Sequence, residues 1–155
     1  MILLQASKSK LVFKIGDSEK SLFFTVLELY PRVTSAARLS TRSGKKSRHS
    51  KDTSVLLEEA LSEQRAENKK HLKAFLEEPK RFEKGEAGWR FSLTHAEADW
   101  LLQIFNDIRV GSWIEMGSPE ERLDVITEAN MRDFWAMEIS GRFEAILLEA
   151  LSRER

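Results

Sequence analysis

The stretch from Gly88 to Phe105 constrains the fold more than any other. Trp89, Phe91 and Leu93 alternate with Arg90 and Ser92, the two-residue period of a strand with one buried face. Trp100, Leu101, Ile104, Phe105 and Ile108 then recur at helical spacing. Between the two patterns stand Thr94 and, three residues on, Glu97, a capping box that marks where strand ends and helix begins. A chain holding such a unit must find a second apolar surface to cover it.

That surface is present earlier in the sequence. Leu11, Phe13 and Ile15 read as a strand, Gly16-Asp17-Ser18 breaks it, and Leu22, Phe23, Val26, Leu27 and Tyr30 form one apolar stripe ending at Pro31. At a constant offset of 78 residues the two units agree: Phe13 with Phe91, Ile15 with Leu93, Glu19 with Glu97, Leu22 with Trp100 and Leu27 with Phe105. Any strand-cap-helix unit shares this periodicity, so both shared pattern and internal duplication account for the match. In either case the two strands are expected to pair in a small sheet, their helices together on one face.

The remaining chain supplies helices. Asp52-Thr53-Ser54 precedes a helix predicted from Val55 to about Glu78, apolar at Leu57, Ala60, Leu61, Leu72, Phe75 and Leu76 but polar all round from Glu63 to Lys70. Lys80 to Gly88 reads as a charged turn. The helix after Thr94 is predicted to end near Val110-Gly111, and Ser118-Pro119-Glu120-Glu121 carries the signature of another, short helix. A final helix spans about Asn130 to Ser152, with Met131, Phe134, Trp135, Ile139, Phe143, Ile146 and Leu147 on its inner face. The expected fold is therefore α+β and mostly helical: an antiparallel sheet of two or three short strands with four or five helices. At 155 residues it forms a single domain over 1–155.

One segment differs in kind. Over about 35–53, Arg38, Arg42, Lys45, Lys46, Arg48 and Lys51 face one acid, Asp52, so in a chain whose 25 basic and 25 acidic residues cancel overall the segment carries about +5 and the rest about −5. With Leu39 its one large apolar side chain, it reads as a flexible basic loop. Lysine and arginine among serines neutralise phosphates without reading sequence, and the segment has no aromatic residue to stack on bases.

Chemistry-bearing signatures are sparse. The chain has no cysteine, which excludes disulfides and thiolate sites and suits a reducing cytoplasm. His95 and Glu97 are two apart on a helix and point to different faces, His49 and His71 have no partner at ligand spacing, and Gly85, Gly88, Gly111 and Gly117 are isolated rather than a phosphate loop. Neither metal nor cofactor is expected. No apolar run approaches the roughly 20 residues that span a bilayer, so no membrane partner is expected either. The most specific polar cluster is Asn106-Asp107-Ile108-Arg109. Asp107 and Arg109 cannot pair along one helix, so each needs a partner elsewhere, in a structural ion pair or on a recognition surface. Gln64 and Asn68, in the thin middle of the 55–78 helix, are the matching candidates on a second element.

Leu11 to Ile15 with its acidic helix start, the run from Trp100 to Arg109, and the closing helix with Trp135 resemble the uncharacterised domain-of-unknown-function family whose actinobacterial members are encoded beside the ClpS adaptor. The likeness covers nearly the whole chain apart from the basic loop. It implies no enzyme activity, and it implies a role in transcriptional regulation or regulated proteolysis; cysteine-based redox sensing, suggested for relatives, is ruled out by the cysteine count. The expected function is a non-catalytic, adaptor-like interaction or regulatory protein with a protein partner, its oligomeric state open. The alternative is a DNA-associated transcriptional regulator using the basic loop. A salt titration separates them: a loop neutralising about five phosphates gives a log–log slope of about −4.5 for duplex DNA, and no binding at low salt removes the alternative.

Overall fold

The computed structural model describes residues 1–33, 49–120 and 126–153, with the backbone alone over 49–52. Four strands, β1 (Ile2–Ala6), β2 (Leu11–Ile15), β3 (Phe82–Gly85) and β4 (Gly88–Leu93), form one antiparallel sheet in the order β1-β2-β4-β3. Among the described residues four helices accompany them: α1 (Asp17–Leu27), α2 (His49–Glu77), α3 (His95–Glu115) and α4 (Met131–Ser152). The fold is α+β and mostly helical, and no helix among the described residues is long and apolar enough to cross a membrane.

The two strand-helix units meet as their patterns require. β2 and β4 are the central strands, paired with Phe13 opposite Phe91, Leu11 opposite Leu93 and Ile15 opposite Trp89. Phe13 and Phe91 are also the equivalent residues at the 78-residue offset, so the two central strands pair symmetrically about them. The relation extends outward, because β1 flanks β2 as β3 flanks β4, and each half runs strand, strand, helix, helix. Leu11, Phe13, Ile15, Phe91 and Leu93 turn one way and are buried. Against them pack Phe23, Val26 and Leu27 of α1, Leu101, Ile104, Phe105 and Ile108 of α3, and Phe143 and Leu147 of α4. The opposite sheet face is open and carries the exposed Lys14, Arg90 and Glu83.

The sheet has four strands where two or three were expected, because β3 lies in the stretch that reads as a charged turn. Its Glu83 and Lys84 are exposed, as suits an edge strand, and a single apolar residue, Phe82, stacks on Phe91 at 4.7 Å. The hairpin closes through Gly88, whose φ of 113° and 2.6 Å approach of an added Cβ to the Ile15 carbonyl oxygen admit no side chain.

Two helix boundaries also differ. α2 starts at His49, before the expected cap at residues 52–54. α3 continues through Gly111 to Glu115 instead of stopping there. Gly111 is not a cap but a contact: the segment after α1 crosses it so closely that an added Cβ would lie 2.5 Å from Arg32 Cβ and 2.7 Å from the Arg32 carbonyl carbon. Ser118 has a left-handed φ of 54° and does not cap a helix, and residues 121–125 of the helix expected there lie outside the described residues. Gly111→Ala must push the Arg32 backbone off α3. A loss of about 2 kcal/mol is expected, measured by chemical denaturation, whereas Gly117→Ala, in open space, tests backbone strain alone.

Candidate functional site

α2 and α3 touch at one end and part at the other. Near the C-terminus of α2, Leu72 and Phe75 are buried, Phe75 meets Trp100 edge-on at 6.0 Å and His71 stacks on the same indole at 4.4 Å. One turn back, Asn68 joins three elements: its Nδ2 donates to Tyr30 Oη at 3.1 Å, while its Oδ1 accepts from Trp100 Nε1 and from Gln64 Nε2, each at 3.2 Å. Towards its N-terminus α2 loses this cover, and Leu57 is 49% exposed.

The opening between the helices is a groove of about 530 Å³. Its apolar lining comes from Tyr30, Val33, Leu61, Val110, Trp113 and Ile114, and its polar lining includes Gln64, Asn68, Gln103, Asn106 and Asp107. Four of the five residues singled out for a protein partner, Gln64, Asn68, Asn106 and Asp107, thus border one cavity although they lie on two helices. Their roles differ. Asp107 Oδ1 accepts from the Arg32 and Val33 backbone N–H groups at 2.7 and 3.2 Å, fastening the post-α1 segment that walls the groove. Asn106 and Gln103 are exposed on the rim.

Arg109 turns to the other side of α3. Its Nε pairs with Glu144 of α4 at 2.7 Å and its Nη2 donates to Asn106 at 3.0 Å. There it borders a second cavity, about 620 Å³, between α3, α4 and the chain around Pro119 and Ile126, with Trp113, Phe134 and Met137 among its apolar walls. Burial pushes the Glu144 carboxyl above the ordinary carboxylate range, and the Arg109 guanidinium, which pulls it down, does not cancel that.

The opposite balance holds at the α3 N-terminus. Burial there raises Glu97, but the Arg81 guanidinium at 2.6 Å and the Thr94 backbone N–H at 2.8 Å outweigh it and hold the carboxyl below its usual value. Thr94 and Glu97 thereby complete the capping box expected from sequence. Among the described residues no group of three histidine, aspartate or glutamate side chains is placed to hold a metal.

The basic residues Arg38, Arg42, Lys45, Lys46 and Arg48 lie outside the described residues; Lys51 is in α2, its side chain likewise outside. Sequence reasoning missed the groove's floor. With the helix expected to end near Val110-Gly111, Trp113 and Ile114 fell beyond it, and the signal that would have found them was Gly111 as a packing residue inside a longer α3. No family model matches the chain, and no curated protein and no solved structure matches it.

Because Glu144 has a raised carboxyl in the folded state, it favours folding when protonated; that contribution is full below the unfolded-state pKa and is lost as pH rises through the folded-state pKa. In thermal unfolding against pH, the wild type should therefore gain stability relative to Glu144→Gln as pH falls through this window. A constant difference would remove the assignment.

Proposed function

We propose that this chain is a non-catalytic, adaptor-like interaction protein of the cytoplasm that seats a peptide segment of a protein partner in the groove between α2 and α3. One observation supports the reading above others: Gln64, Asn68, Asn106 and Asp107, on separate helices, border one apolar-floored groove. The chemistry of the rim gives the class of ligand. Asparagine and glutamine amides both donate and accept, so Gln64, Gln103 and Asn106 match the N–H and C=O groups of an extended peptide backbone. Val33, Leu61, Val110 and Ile114 would take its apolar side chains, and the absence of cysteine suits a reducing compartment.

Affinity capture with wild-type, Val110→Glu and Asn106→Ala baits tests this. A partner held in the groove is retained by the wild type, is lost or weakened about tenfold or more by a carboxylate on the apolar floor, and is weakened less by Asn106→Ala. Amide-resolved NMR of the purified pair should move the Gln64, Gln103 and Asn106 side-chain signals. Identical partner lists for the three baits, or shifts confined to another face, would overturn the reading.

A further inference from the structure

The outward side of α2, away from the groove, carries a stripe at intervals of three and four residues: Glu59, Glu63, Ala66, Lys70 and Lys73. All five are exposed. The stripe changes sign at its midpoint, with Glu59, Glu63 and Glu67 before Ala66 or beside it and Lys69, Lys70 and Lys73 after it. Such segregation is unfavourable within one helix, because Glu59 with Glu63, Glu63 with Glu67 and Lys69 with Lys73 are like charges four apart. The helix macrodipole does not account for it, since that effect fades within the terminal turns and these charges occupy the middle of a 29-residue helix. Lys73 is answered by Glu77 at 3.9 Å, whereas Glu59, Glu63, Glu67, Lys69 and Lys70 have no ion-pair partner among the described residues.

We propose that this face pairs antiparallel with the same face of a second copy of the chain, making a two-fold symmetric dimer. An antiparallel arrangement centred on Ala66 brings Glu59 level with Lys73 of the second copy and Glu63 level with its Lys69 and Lys70, and the symmetry repeats each pairing. Ala66, at the axis, has the small side chain that lets two helix backbones approach. The groove lies on the opposite side of α2 and stays open, so the dimer does not depend on the proposed function.

Sedimentation equilibrium of the full chain tests the proposal with two charge-reversed proteins, Glu59→Lys/Glu63→Lys and Lys69→Glu/Lys70→Glu/Lys73→Glu. The wild type is expected at twice the chain mass, with dimerisation weakening as salt is added. Each reversed protein alone places like charges across the whole interface, and its dimerisation should weaken about tenfold or more. Mixed in equal amounts the two are complementary everywhere and should form a heterodimer. Circular dichroism establishes that each variant is folded before it is compared. A wild type that stays monomeric overturns the proposal, as does a wild-type dimer untouched by either reversal or a pair of folded, monomeric variants that fail to associate when mixed.

Discussion

The stacking of Phe13 on Phe91 across the middle of the sheet, 5.4 Å between ring centres, is the contact on which the rest of the structure depends. It fixes the register of β2 on β4, and a slip of one residue there would turn Leu11, Ile15 and Leu93 out to solvent. On this pair stands Phe23 of α1, 5.8 Å from Phe91, which in turn meets Phe105 of α3 at 5.6 Å and Phe143 of α4 at 5.1 Å. Each of these rings is nearly or fully buried, so loss of any one removes both apolar burial and oriented aromatic contacts. The glutamates at offset 78 hold the helix starts above this cluster in parallel ways. Glu97 caps α3 and pairs with Arg81; Glu19 reaches back to the Gly16 N–H and pairs with the Met1 ammonium.

The two halves share an order of elements but not a packing, and the difference comes from composition. α4 turns Ala136, Ser140, Phe143, Leu147 and Ala150 inward, a mixture of small and large side chains that lets it lie close against α3, where a Cβ added at Gly141 would come 3.6 Å from Arg109 Cδ. α2 is the equivalent helix of the first half. Along its inward face Arg65 and Asn68 follow Leu61 before Leu72 and Phe75 resume the apolar pattern. Burying such a polar middle in the core would leave amide and guanidinium groups without water. α2 therefore docks by its C-terminal third, is clasped at Asn68, and stands away from α3 beyond it; the groove is the result.

Much of this was legible where a residue's role depends on its neighbours in sequence. The Thr94–Glu97 capping box and the alternation in β2 and β4 are local signals, and the structure follows them; of the stripe expected on the last helix Phe143 and Leu147 are buried, whereas Met131 is 56% exposed and the buried face takes in Ala136, Met137, Ser140 and Ala150 instead. The failures have a common cause. β3 has one apolar residue, Phe82, and owes its conformation to pairing with β4. Gly111 carries the ordinary mark of a helix end, yet it is small because Arg32 and Val33, 79 and 78 residues earlier, cross it. The Asn106–Arg109 cluster divided in the same way: the spacing shows that Asp107 and Arg109 need partners beyond their own helix, but not that one turns to the Arg32–Val33 backbone and the other to Glu144. Asn68 was visible as a polar residue in a helix; its link to Tyr30 and Trp100 was not.

The position of α2 also bears on how its two faces relate. Among the described residues α2 is held at Leu72, Phe75 and Asn68, while Val55, Leu56 and Leu57 of its N-terminal half are exposed. Of the like charges along its outer face, Glu59 and Glu63 lie on that half and Lys69 and Lys73 on the anchored one. Antiparallel pairing would set opposite charges across from these like-charge neighbours and bring the N-terminal half of α2 beside the end of a second α2 that is held at Leu72 and Phe75. The groove wall would then be stiffened before a peptide arrives, which lowers the ordering cost of binding. By reciprocity, a peptide that bridges α2 and α3 favours the dimer by the same free energy. The one helix that the core does not absorb is therefore the element through which self-association and partner binding can be coupled.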